Sequence, residues 1–190
     1  MSTQLITVDD YRAAKQLSIS SGNDSDASIL MDIEAASVRI EADCHRSFGS
    51  YPAGLKTFCP SSDGAKVFIG DYSSVSRVNL NGTASDEYSL TKEPRVAHLS
   101  EFPYNYIQAK NPGVTEIEIL GQPGWEEIPS AVKKCCIELV AIFRLQSSRA
   151  FHDASNSGSN PVSTTDLATQ LIFNYLKTFI LDPATAEVYY

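Results

Sequence analysis

Between Asp26 and Arg46, apolar residues recur at Ile29, Ile33, Ala36, Ile40 and Cys44, the spacing that lays one stripe along an α-helix. Asp32, Glu34, Arg39, Glu41 and Asp43 fall outside that stripe. Gly49 is placed to stop the helix, with Phe48 folding back onto its end. A shorter helix over about 8–17 precedes it, because Thr7 can cap and Asp9 and Asp10 suit the positive helix end. The polar run 18–25 between the two reads as a loop.

From Tyr51 the period changes to two. Leu55–Cys59, Lys66–Gly70 and Ser74–Leu80 read as strands; in the last, Val78 and Leu80 alternate with Arg77 and Asn79. Asn81-Gly82 predicts a tight hairpin turn, since both residues tolerate positive φ, with Glu87–Leu90 as the return strand. Tyr104–Ile107 is a further candidate strand. In Thr115–Ile119, Ile117 and Ile119 alternate with Glu116 and Glu118, and Gly121, Pro123 and Gly124 are read as breaking that strand.

Pro129 suits the first turn of a helix over about 129–146, whose apolar face is Val132, Cys136, Leu139, Val140 and Phe143. The polar stretch at about 147–164 reads as a flexible connection. A last helix over about 165–181 carries Leu167, Leu171, Tyr175 and Phe179, with Ile172, Leu176 and Ile180 beside them. The predicted fold is therefore α+β, a helical core with a β-rich insertion at about 51–120. Residues 1–181 form one domain in this reading, and 182–190 a tail that ends in Tyr189 and Tyr190. For that tail two readings stand, docking on a partner and simple disorder.

The chain has 190 residues and a net charge of −8, which argues against a surface built to grip phosphates. Its start has neither the basic leader nor the apolar core of a signal peptide, and synthesis in a cytoplasm is expected. No segment reaches the roughly 18 apolar residues needed to cross a bilayer, so no membrane partner is expected. Cys44, Cys59, Cys135 and Cys136 lack metal-ligand spacing and read as small hydrophobes in a reducing compartment. His45, His98 and His152 lie apart, and His45 suits a helix end better than catalysis. No phosphate-binding glycine loop, zinc-protease helix or serine elbow is present. No catalytic residue, cofactor or metal site is predicted. Trp125 reads as a core or interface anchor ahead of a ligand platform.

With the elements in this order, the chain resembles the head–tail connector, or adaptor, proteins of bacteriophages with long non-contractile tails. The resemblance rests on the short capped helix TVDDYRAAKQL, on a second helix ending in Arg46-x-Phe48, and on a strand entering Gly121-x-x-Gly124-Trp125 and Pro129 before SAVKKCCIELVAIFR. By order of elements it covers about residues 5–180. The long polar loop and the VYY tail depart from the pattern.

The resemblance implies a structural virion protein of the neck, assembled in the host cytoplasm, and not an enzyme. Such proteins form a ring, usually a dodecamer, beneath the portal protein. The ring extends the DNA channel and meets a stopper or tail-terminator protein. Double-stranded DNA passes through without specific binding, a task that an acidic chain suits. Asp32, Glu34, Glu41 and Asp43 are the candidate channel-lining residues. Gly121, Gly124, Trp125, Pro129, Arg46 and Phe48 are the candidate structural and interface residues, and Tyr189 and Tyr190 candidate anchors. The alternatives are another neck component (a tail-completion or stopper protein), a small hydrolase whose carboxylates meet only in three dimensions, and a cytoplasmic binding module.

Overall fold

The computed structural model describes residues 4–15, 25–62, 64–92, 102–153 and 164–180, with backbone alone over 146–153 and 164–166. The fold is α+β, with four helices and a six-stranded antiparallel sheet among the described residues, and it divides into two compact units. The helical unit is formed by the described residues up to Ser47 and from Ile128 onward, and the sheet unit by those between Phe48 and Glu127.

In the helical unit, α1 is Val8–Lys15, α2 Asp26–Cys44, α3 Ser130–Asp153 and α4 Thr164–Leu176. The first begins with a reciprocal cap. Thr7 Oγ1 accepts the Asp10 N–H at 3.0 Å and Asp10 Oδ2 accepts the Thr7 N–H at 2.9 Å. The Thr7 backbone N–H and, after it, the Thr7 hydroxyl hold the Asp10 carboxyl below its ordinary value. Ser25 caps α2 by accepting the Ser28 N–H.

The predicted stripe of α2 is buried throughout, from Ile29 to Cys44. Ser37 interrupts it at no cost in unmade bonds. Its Oγ donates to the Ile33 carbonyl at 2.8 Å and accepts the Leu5 N–H at 3.2 Å, which ties the start of the chain to the helix. Facing this stripe from α3 are Val132, Cys135, Cys136, Leu139 and Val140, and from α4 Ala168, Ile172 and Leu176, all buried. Ion pairs close the margins: Arg144–Asp32 at 2.9 Å joins α3 to α2, and Lys15–Glu138 at 3.0 Å joins α1 to α3.

Several helix boundaries differ from expectation. The second helix ends at Cys44, not Arg46: His45 adopts φ 50°, and the His45 and Arg46 N–H groups bond back to the Ala42 and Glu41 carbonyls. Gly49 is not the stop. The third helix runs on to Asp153, because SSRAFHD contains nothing that breaks a helix and the first glycine is Gly158. Residues 154–163 of the expected connection lie outside the described residues, as do 16–24 of the first loop and the tail 182–190.

In the sheet unit, β1 is Gly54–Phe58, β2 Lys66–Leu80, β3 Thr83–Ala84, β4 Tyr88–Thr91, β5 Tyr104–Ala109 and β6 Ile117–Pro123. The order is β1-β6-β2-β5-β4, with β3 on β2. Two expected strands, 66–70 and 74–80, are one long strand bent by bulges. Its partner shifts from β5 to β6 along its length, and the register slips between Phe68 and Tyr72, Tyr72 and Ser74, and Val75 and Arg77. Each extra residue reverses which side chains face inward. Val67 and Ile69 are therefore buried at odd positions, while Tyr72, Val78 and Leu80 are buried at even ones. Gly70, at φ 79°, supplies the conformation of the first bulge. The core packs Phe58, Val67, Ile69, Ile107, Ile117 and Ile119 into one cluster.

Asn81 and Gly82 form the predicted turn, at φ 50° and 78°. The return strand is Thr83–Ala84 and not Glu87–Leu90, of which Tyr88–Leu90 belong to β4 on β5. Asn81 also does something unforeseen. Its Oδ1 accepts the Thr115 and Glu116 N–H groups at 2.9 and 3.1 Å, and its Nδ2 donates to the Gly113 carbonyl at 2.9 Å. The hairpin thereby holds the β5–β6 turn.

Candidate functional site

Two features gather the singled-out residues: the Gly121–Trp125 segment of the sheet unit and the surface of α2 in the helical unit.

Gly121 does not break β6, which runs on through it and ends at Pro123. Gly121 is needed for approach instead of turning. A Cβ there would overlap the Ser74 carbonyl and sit 3.0 Å from the Tyr72 ring. Gly124 does turn, at φ 94°, and a Cβ on it would overlap the Gly49 carbonyl. That tight approach stitches the chain entering the sheet to the chain leaving it. The Tyr51 N–H donates to the Pro123 carbonyl at 3.0 Å, the Trp125 N–H to Gly49 at 3.0 Å, and the Gly124 N–H to Asp71 at 2.7 Å. Ser50 pairs with Gly124 as an antiparallel bridge, and Gln122 Nε2 donates to Ser50 Oγ at 2.8 Å.

Trp125 seals this seam. It is 1% exposed, its ring lies 5.4 Å from Phe48 and 5.1 Å from Phe102, and its Nε1–H donates to Asp71 Oδ2 at 3.1 Å. Phe48 is itself fully buried. Neither Asp71 nor Phe102 stood out in the sequence. Pro129 precedes α3 and accepts the Val132 and Lys133 N–H groups, so it opens that helix. Arg46 is buried at the end of α2.

On α2, three of the four candidate channel acids are engaged within the unit. Asp32 bonds Arg144, Asp43 accepts Arg39 Nε at 2.7 Å, and Glu41 accepts Ser47 Oγ at 2.9 Å. Glu34 is exposed. Between these charges lies a face no sequence motif announced: Met31 is 70% exposed and Val38 51%. Tyr189 and Tyr190 lie outside the described residues.

The chemistry available is sparse. Among the described residues no three His, Cys, Asp or Glu side chains converge in a metal-binding group. Burial pushes the thiols of Cys44, Cys135 and Cys136 up to about 12, where they stay protonated and unreactive. Cys59 is exposed. Among the described residues no helix is long and apolar enough to cross a membrane.

No protein-family model matches the chain, and no curated protein matches it. A solved structure described as "Neck of empty GTA particle computed with C6 symmetry" aligns with 92% of this chain and 92% of its own, at 15% identity and a TM-score of 0.49.

Proposed function

We propose that this protein is a head–tail connector adaptor: a ring subunit seated beneath a phage portal, extending the DNA channel toward a stopper or tail terminator. The observation that carries this reading is the Gly121–Trp125 seam. The residues of the resembling motif are the ones this fold demands, Gly121 and Gly124 for want of any space for a Cβ and Trp125 as the buried plug. A motif required by the architecture is better support for a shared architecture than a degenerate match of letters alone.

The work proposed is mechanical. Most of α2 is locked by internal bridges, which suits a rigid wall element. Asp32, Glu34, Glu41 and Asp43 give the wall the sign that keeps DNA from adhering. The tail 182–190 is proposed to dock on the portal or a neighbour through Tyr189 and Tyr190, aromatic side chains that bring large contact area at low entropic cost. Mixing the full chain with portal rings and imaging the product by electron microscopy tests the reading. A ring of copies stacked coaxially on the portal is expected. Copies bound at the opposite end of an already formed neck would indicate the stopper or tail-completion role instead.

A further inference from the structure

We infer that the outer face of α2 is a contact surface for a second copy of this chain, and that the copy seats its α4 there. The inference deepens the adaptor reading and rests on it for ring closure. The contact itself is argued from α2 and α4.

An α-helix advances about 100° per residue, so Ala27, Met31, Ala35, Val38 and Ala42 share one side of α2, opposite the buried stripe. All are exposed. A helix apolar on two faces needs cover on both. The acids on the flank between the two faces are engaged internally: Asp32 with Arg144 at 2.9 Å and Asp43 with Arg39 at 2.7 Å. Ala27, Ala35 and Ala42, set around Met31 and Val38, leave hollows into which a neighbouring helix can set its ridges. Glu34 stands at the border of this stripe with its carboxylate exposed.

The complement is on the same chain. On α4, Leu167, Gln170 and Phe173 form a ridge of every third residue, with Leu167 46% and Phe173 59% exposed. Lys177 follows and is exposed, and no acidic residue occurs from Leu167 to Lys177. The α2 face is bordered by Glu34, exposed, and by Glu41, which accepts from Ser47, while the α4 face carries Lys177 at one end and Asp166 at the other. Pairing α2 with α2 about a two-fold axis is disfavoured. The stripe is centred near Ala35, so an antiparallel pair would bring the two Glu34 carboxylates together. Pairing α2 with α4 of the next copy opposes Glu34 to Lys177, and such a head-to-tail contact propagates into a ring. Glu34 then belongs to the contact between copies, and the channel wall is left to the other acids.

The test uses the full chain and reads self-association by sedimentation velocity, with circular dichroism and thermal midpoint confirming the fold of each variant. Wild type is expected to associate as concentration rises. Val38→Asp and Phe173→Asp are each expected to weaken association by about tenfold or more, the scale of one lost contact at an interface. Glu34→Lys and Lys177→Glu are each expected to weaken it too, because each puts like charges across the contact. Mixing those two variants is expected to restore association, since each mixed contact then joins a lysine to a glutamate. Weakening of each variant alone with restoration by mixing is the signature of an α2–α4 contact, and growth beyond a dimer is the signature of its head-to-tail propagation. A chain that stays monomeric up to millimolar concentration, or folded Val38→Asp and Glu34→Lys variants that associate like wild type, overturns the inference. If variants associate normally and still form rings on portals, the contact lies elsewhere and the adaptor reading survives. If wild type neither associates nor joins a portal, both fall.

Discussion

A methyl group added at Gly124 has nowhere to go. Its φ of 94° is one that L residues rarely adopt, and the Gly49 carbonyl occupies the space a Cβ would take. Gly124→Ala is therefore expected to lose at least about 2 kcal/mol in a denaturant titration, from backbone strain and overlap together. Trp125→Ala, which empties the seam beside Phe48 and Phe102, should lose about 3–5 kcal/mol. Trp125→Phe should lose less, because it keeps ring contacts and forfeits the bond to Asp71. The thiols offer a second residue-scale check. With a disulfide reagent on native protein, Cys59 should react quickly and Cys44, Cys135 and Cys136 only after unfolding. Their values rise on folding from 9.0 to about 12, so their contribution to stability is complete below pH 9 and fades as pH climbs toward 12. Denaturation midpoints should fall over that window, and a flat profile would mean that these thiols are not buried in solution. Reversing Asp32 to lysine, which looks harmless on a sequence-derived helix surface, should destabilise the fold because it leaves Arg144 facing a like charge.

At the scale of elements, the Asn81-Gly82 hairpin is a clamp as well as a turn. Asn81→Asp keeps the acceptor for the Thr115 and Glu116 N–H groups and should be the mildest change. Asn81→Ala loses that acceptor and forces alanine into positive φ, and should lose about 1–3 kcal/mol. Thermal unfolding of the two variants decides; equal midpoints would show that the side chain clamps nothing. The turn itself was legible because Asn-Gly has a local mechanism, and the buried faces of α2 and β6 were legible because their periods are unbroken. What escaped the sequence was set by tertiary structure. The bulges of β2 reverse its parity midway, so a two-residue alternation cannot be followed through it. His45 ends α2 in a conformation glycine usually supplies, while a true glycine waits four residues on. Gly121 looks like a turn residue and is instead a strand residue pressed against Ser74. The exposed side of α2 went unread because alanines set around Met31 and Val38 look neutral until the other face is known to be buried.

For the whole molecule, a net charge of −8 with no basic cluster predicts that duplex DNA is not retained at physiological salt. The proposed ring would then work by shape and by its contacts, and the proposed docking of the C-terminal tail can be tested on its own. The described residues end at Ile180, and 10 residues, LDPATAEVYY, come after it. A run of that length, if extended, would reach on the order of 30 Å at about 3.3 Å per residue. That is ample to cross a subunit boundary. An anchor at its tip would act as a second binding site on a tether and raise the avidity of each subunit without altering its own fold. Deleting residues 182–190 should therefore leave the thermal midpoint of the free chain unchanged while weakening its hold on portal rings. Tyr189→Ala with Tyr190→Ala should reproduce most of that loss. Portal-binding titrations of the truncated and full chains measure the difference. Equal affinities, with rings forming as before, would show that the tail takes no part in docking.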